Sequence, residues 1–575
     1  MGIQMKKFGL TLIASALALG LAACSGDDGK DGVDGVDGSD GNSQVLIGLK
    51  HVGRYRSGKF DEGAAEIVAY DAASKRLFVV NAADVSIDVL NVENPAAPTK
   101  VGTIAIPGGG AANSVAVFNG TVAVAVQAPL KTDNGKVEFY NAATLAKISE
   151  VAVGALPDML TFTPDGRAVL VANEGEPNDL EDAEGNDVAE YTTDPIGSVS
   201  VINVSNLQSP TVVSLDFTAF DSQIDELRDA GVRIYGPGAT VAEDLEPEYI
   251  AVSPNSQTAW VSLQEANAIA VLNIANLATP SVQDVLSLGT KDHMLPANKL
   301  DASDEDGPDG EAAINIRNWP VKGLYQPDTI AAYEFNGKAY IVTANEGDTR
   351  DDFLEDEEAP RLKNSDGLDP NSFPSFDVNA LLEDAQLGRL RFTPYGAEKL
   401  EGDKFGPSGV LKEILINGGR SFSIFTQNGD RMEQVFDSGS QFEEIIAQRN
   451  PAFFNASNDD EDLDSRSDAK GPEPEGLALG KIAGHTFAFI GLERDSGIMV
   501  YDISNPENAR FVQYINTRDF TAEYDTDAAN DVGPEGLAFI PAASSPNGKP
   551  MLAVGNEISG TTSLYEIDVI ELKNE

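Results

Sequence analysis

A short apolar strand opened by an acidic or amide residue recurs seven times along this 575-residue chain. The openings are Glu66-Ile67-Val68-Ala69, Asn113-Ser114-Val115-Ala116, Asp158-Met159-Leu160-Thr161, Glu248-Tyr249-Ile250-Ala251, Asp328-Thr329-Ile330-Ala331, Glu475-Gly476-Leu477-Ala478 and Glu535-Gly536-Leu537-Ala538. A second apolar run follows each, ending at Asn81, Gln127, Asn173, Gln264, Asn345, Glu493 or Asn556. A third run of alternating character comes next, as at 87–90 or 498–501, and in most units a fourth, as at 212–217 or 511–515. Residues 435–446 are the fourth run expected for the fifth unit. Alternation bounded by Gly, Asn-Pro and Asp-Gly turns predicts strands, and a repeated four-strand unit predicts a propeller blade.

The seventh unit runs out of chain before its fourth strand, and residues 46–54, which resemble 100–106, are placed to fill that gap. The expected fold is therefore all-β, a seven-bladed β-propeller closed by the N-terminal strand, with long loop inserts. Closure removes the exposed edges that many short strands would otherwise present. A β-sandwich array or a solenoid is the alternative for such a strand-rich repeat. Successive openings are 47, 45, 90, 80, 147 and 60 residues apart, against about 40–50 for a bare blade. The excess sits in inserts at 175–197, 217–245, 289–326, 347–419 and 436–471, and three of these follow a second strand's acidic end or precede an opening acid, so they should rise over the face where the first strands begin. Long loops on a rigid scaffold are where binding concentrates.

Charge narrows the partners. Lys and Arg number 40 against 92 Asp and Glu, a net −52 spread along the whole chain, which repels nucleic acid and anionic lipid and attracts cations. Residues 1–23 read as an export signal, with Lys6 and Lys7 before an apolar stretch and Ala22-Ala23 at its end. The single cysteine follows at once, and Leu21-Ala22-Ala23-Cys24 resembles a bacterial lipobox, whose cysteine is lipidated, for example with palmitate. A plain secretory signal followed by a chance cysteine is the alternative. Residues 24–44 carry Gly at every third position from Gly26 to Gly41 with Asp between, and read as a hydrated collagen-like tether. The expected organisation is signal peptide 1–23, tether 24–44 and propeller 45–575, a monomer exported and lipid-anchored at the bacterial outer membrane or cell surface.

First strands line the channel of a propeller, so their entrance residues meet across the axis. Glu66, Asp158, Glu248, Asp328, Glu475 and Glu535 should form an acidic ring, with Asn113 the neutral exception. The second-strand ends add Glu174, Glu265, Glu346, Glu493 and Glu557. So many carboxylates facing one space raise one another's pKa unless cations are present. With His51, His293 and His485 scattered and no free thiol in the mature chain, an oxygen-ligand metal is expected, Ca2+ first, alone or with a second divalent metal. Alternatively the repeated acids cap blade turns by accepting backbone N–H groups. Acidic runs at 301–311, 348–358 and 459–468 do not fit an EF-hand loop and read as irregular calcium sites or as solvated loops. The chain has no Gly-x-Ser-x-Gly elbow, phosphate loop or His-Glu-x-x-His. Chemistry is left to a metal cluster assisted by an arginine, with Arg494 beside Glu493 or Arg350 after Glu346 as phosphate clamps, or as partners of neighbouring acids.

Val171-Ala172-Asn173-Glu174-Gly175-Glu176-Pro177, Thr343-Ala344-Asn345-Glu346-Gly347-Asp348, Gly471-Pro472-Glu473-Pro474-Glu475-Gly476 and Gly533-Pro534-Glu535-Gly536 resemble the choice-of-anchor I family of exported bacterial propellers over about residues 45–570. Members are often described as alkaline phosphatase-like, and the Pro-Glu-Gly pairs are similar to phytase-like esterase propellers whose acidic channel binds calcium. The resemblance implies metal ligands at Glu174, Glu346, Glu475, Glu493 and Glu535, supported by Asp158, Glu248 and Asp328. Glu493 and Arg494 are the expected catalytic pair, and a small phosphorylated substrate or a cell-surface ligand is the expected partner. The chain departs from the propeller phosphatases that keep a cysteine near their metals. A non-catalytic, calcium-stabilised propeller recognising a cell-surface protein or glycan is the second expectation.

Overall fold

The apolar runs form strands, and the strands pair mostly with their neighbours in sequence. The computed structural model describes residues 44–178, 193–350 and 358–572, with 180–181, 187–188 and Leu354. The expected signal peptide, the lipobox with Cys24 and the tether before Gln44 lie outside the described residues. The described residues fall almost wholly in one compact unit, Val45–Glu571. Among them no helix is long and apolar enough to cross a membrane.

The protein is all-β, a β-propeller built from four-stranded antiparallel sheets, of which the described residues hold seven. Their first strands are Val68–Asp71, Ala112–Phe118, Pro157–Phe162, Pro247–Val252, Ile330–Phe335, Pro474–Ile482 and Pro534–Ile540. In the last sheet Pro534–Ile540 is followed by Met551–Asn556, Thr561–Leu572 and then Gln44–Arg56 from the other end of the chain. That N-terminal strand is tied in by the backbone of Leu49, bonded to the Gln513 side chain at 2.7 Å, and by Arg54, paired with Asp531 at 2.5 Å.

Apolar clusters fill the spaces between sheets. Phe78, Ile87 and Val89 of the first sheet pack with Val115, Val122 and Val124 of the second. The opposite face of the first sheet, through Leu77, Val79 and Leu90, packs with Ile540, Met551 and Leu564 of the last. A sheet buried on both faces needs apolar residues at consecutive positions, which is why the second and third strands read as continuous apolar runs. The Glu-Gly pairs have a steric cause. A Cβ at Gly476 would lie 2.0 Å from the carbonyl oxygen of Glu535, and one at Gly536 would lie 2.5 Å from that of Glu66. First strands of the sixth, seventh and first sheets therefore approach backbone to backbone, which a side chain would prevent.

Two expectations change. The fourth strand of the fifth sheet is Met432–Asp437, and the rest of the expected run turns at Gly439 (φ +64°) into the helix Gln441–Arg449, where Phe442 and Ile446, one turn apart, are both buried. The inserts at 289–326 and 347–419 are more than loops. They share a buried cluster that includes Leu300, Trp319, Leu362, Phe392 and Leu415, and Thr290–Asp292, Lys322–Leu324 and Leu415–Ile416 form a small sheet.

Candidate metal centre

Proline sets the entrance of the channel. Pro157, Pro247, Pro474 and Pro534 begin their first strands, and in each the pairing register shifts before the strand settles at Leu160, Ile250, Leu477 or Leu537. The residue before the proline is left-handed at Leu156, Glu473 and Gly533, as is Gln326 before Pro327. A bulge of this kind takes the next side chain out of the ladder and re-aims it. The acids Asp158, Glu248, Glu475 and Glu535 occupy that position. Proline belongs there because the first residue of a strand can do without its N–H.

The re-aimed acids line a cavity of about 320 Å³ with Asp328, Glu346, Asp348 and Glu493. Lys470 and Arg494 are the basic side chains on its wall. Asp348 and Lys470 come from inserts, so those segments rise over the strand entrances as expected. Asn113 donates to Gln127 at 3.1 Å. The amides that end second strands are architectural. Asn173 donates to Ser198 and Ser200, Asn345 to Ser421 and Ser423, and Asn556 to Thr561, tying second strands to third. The acids do otherwise. Among the described residues Glu66, Asp158, Glu174, Glu248, Glu475 and Glu535 accept no hydrogen bond, so they do not cap turns.

Around the strand entrances, two groups of carboxylates converge closely enough to share an ion. Oxygens of Asp158, Glu174 and Glu248 lie within 4.8 Å of one another, as do those of Glu346, Glu473 and Glu493. Their surroundings differ. In the second group Lys470 pairs with Glu346 and Glu473 at 3.0 Å each, and Arg494 and Arg466 also bind Glu473. Although burial pushes Glu473 up, Arg466, Lys470 and Arg494 hold it far below the usual carboxylate range. That group already has its positive charges. In the first group no Lys or Arg pairs with any member among the described residues. Two oxygens each about 2.4 Å from one Ca2+ are at most about 4.8 Å apart, so the spacing fits a hard cation.

Burial, then repulsion from Glu557 and Asp158, pushes Glu66 up to about 8. Burial with Glu176 pushes Asp158 to about 7, and burial with Glu473 pushes Glu493 to about 8. Glu174, Glu248, Asp328, Glu475 and Glu535 are held well above the carboxylate range by burial and by one another. Acids whose pKa rises on folding stabilise the fold at low pH, and that contribution is lost as pH rises from about 4 through about 8. Thermal scans in chelator are expected to show the midpoint falling by several degrees between about pH 5 and pH 8, with calcium flattening the profile. A flat profile without metal would contradict this reading.

The expected clamp residues separate. Arg494 is at the cavity but engaged, donating to Asn458 at 2.6 Å and lying 3.4 Å from Glu493. Arg350 is absent from the cavity wall. It is buried, with Asp244 at 2.9 Å, Glu246 at 2.7 Å and its backbone N–H on Glu358 at 2.7 Å, so it serves architecture. Sequence reading passed over Lys470 and the role of Glu473, although their spacing of three residues in Lys470-Gly471-Pro472-Glu473 was a signal for an ion pair.

A family model for the choice-of-anchor I domain matches residues 66–506. Gigasin-3a of Magallana gigas is 29% identical over 201 residues, 33% of this chain and 68% of that protein. The mesenchyme-specific cell surface glycoprotein of Strongylocentrotus purpuratus is 26% identical over 353 residues, 53% of this chain but only 42% of that protein's length. Among solved structures, the Cps50 (Swd1) β-propeller domain of Myceliophteria thermophila overlaps 91% of this chain and 99% of its own at 6% identity and a TM-score of 0.42.

Proposed function

The chain belongs to the choice-of-anchor I domain family, and on that premise we propose that it is an exported seven-bladed propeller, closed by its N-terminal strand, whose axial cavity binds calcium and hydrolyses organic phosphate esters. The observation that carries the reading is the convergence of Asp158, Glu174 and Glu248 without a cationic partner among the described residues. Sheet order supports closure, since Gln44–Arg56 joins the last sheet. Surface display accords with a relative named as a cell surface glycoprotein and with the lipobox ending in Cys24.

Asp158 and Glu248 on the cavity wall and Glu174 beside them would hold the ion, and the other cavity acids are available to a second divalent metal. Calcium, when bound, supplies positive charge for a phosphate group that eight cavity carboxylates would otherwise repel. Arg494 turns its guanidinium from Glu493 and Asn458 toward phosphate oxygens. Glu493, protonated near neutrality by burial and Glu473, gives its proton to the leaving alkoxide oxygen as the phosphorus–oxygen bond breaks. A cavity carboxylate takes the proton released by the attacking water.

The test is turnover of a chromogenic phosphate ester by the mature protein. Activity should disappear in chelator and return with calcium, and Glu493→Gln should lower kcat by about 100-fold with little change in bound calcium. Arg494's existing engagement favours a second reading, a calcium-stabilised propeller that binds a surface protein or glycan without chemistry. Calcium binding with no turnover by wild type would select it.

A further inference from the structure

Two acidic inserts meet at one buried point outside the cavity. Asp301 and Asp306 come from the insert before the fifth sheet and Asp464 from the insert before the sixth, and one carboxylate oxygen of each lies within 4.8 Å of the others. Asp301 and Asp464 are both 0% exposed, which rules out a solvated loop as the reason for their charge. One oxygen of each carboxylate is fastened. The backbone N–H of Asn315 donates to Asp301 Oδ2, the Asn315 amide to Asp306 Oδ2 at 2.7 Å, and the Ser467 hydroxyl to Asp464 Oδ1. The remaining oxygens, Asp301 Oδ1, Asp306 Oδ1 and Asp464 Oδ2, are buried and accept no hydrogen bond.

A buried carboxylate oxygen without a donor costs several kcal/mol unless a charge answers it. No Lys or Arg pairs with the side chain of any of the three among the described residues. Arg317 is near enough to feel Asp306 and Asp301, but its guanidinium stacks 3.7 Å from the Trp319 ring centre and donates to Gln386 at 2.7 Å. Arg420 reaches only the backbone oxygen of Asp301.

We infer that Asp301, Asp306 and Asp464 form a second hard-cation site, of calcium type, that pins the insert before the fifth sheet to the insert before the sixth. Three oxygens with mutual separations under 4.8 Å fit ligands about 2.4 Å from one Ca2+, with water or backbone oxygen completing the shell. Three ligands from two segments more than 150 positions apart make the ion a cross-link, absent from the unfolded chain, so binding is coupled to insert order. The inference stands on residues outside the axial cavity and does not depend on the proposed activity.

The test uses the full mature protein, stripped with chelator and then dialysed against calcium. Bound calcium per chain and hydrogen exchange of the peptides around 298–318 and 455–468 are measured for wild type, Asp306→Asn, Asp464→Asn and Glu174→Gln. Calcium should slow exchange in both peptides of wild type and of Glu174→Gln. Asp306→Asn and Asp464→Asn should each bind one calcium fewer than wild type and lose that protection in both segments together. Asp306 is only partly buried, so its variant decides if Asp464→Asn fails to fold. Folded variants that keep the wild-type calcium count, or wild-type inserts whose exchange ignores calcium, would overturn the inference.

Discussion

Glutamine at both Glu174 and Glu248 is expected to leave the metal-free protein more heat-stable than its parent and unresponsive to calcium at the channel. Measured in an Asp464→Asn background, which removes the insert site, calcium at about 1,000 times its dissociation constant should stabilise the parent by ~4 kcal/mol. The double glutamine variant should keep less than about a quarter of that. The cause is electrostatic. Asp158, Glu174 and Glu248 crowd their oxygens within 4.8 Å with no cationic side chain paired to them among the described residues, so the metal-free fold suffers repulsion that an amide relieves. The amide also removes the charge that binds the ion. Calorimetry in chelator and in calcium reads both effects, and the opposite signs distinguish ligand loss from general damage, which lowers stability in both buffers.

Arg350→Ala is expected to destabilise the protein by about 3–5 kcal/mol while leaving the calcium count unchanged. Its guanidinium is buried against Asp244 at 2.9 Å and Glu246 at 2.7 Å, with its face 4.7 Å from the Tyr235 ring centre. Removal strands two buried carboxylates, which costs more than the pair itself was worth. Arg350→Lys should recover only part, because a single ammonium cannot reproduce the fork that meets both Asp244 and Glu246. A lower denaturant midpoint with normal phosphate-ester turnover would fit this architectural role. Unchanged stability with lost turnover would return Arg350 to the site.

The strands were legible because sheets packed on both faces demand unbroken apolar runs, as in Leu77 to Val80, and because the acids recur at one register. The convergence of Asp158, Glu248, Asp328, Glu475 and Glu535 was also legible, since first strands around one axis must bring their entrances together. What the repeat could not reveal lies off the repeat. Glu473 and Lys470 belong to an insert, and their pairing with Arg466 and Arg494 depends on how that insert folds back. For the same reason Arg350, four residues past Glu346 in sequence, was equally compatible with the cavity and with the acids at 244 and 246. The helix Gln441–Arg449 was misread as strand because Val435, Phe436, Ile445 and Ile446 are apolar under either period.

The most direct test of the metal-binding channel is an anomalous difference map from crystals of the mature protein grown in calcium. A peak is expected on the channel side of Asp158, Glu174 and Glu248, within about 2.3–2.6 Å of an oxygen from each, and absent from crystals of the Glu174→Gln, Glu248→Gln variant. A cavity that shows no peak at saturating calcium, with those three side chains turned apart, would contradict it.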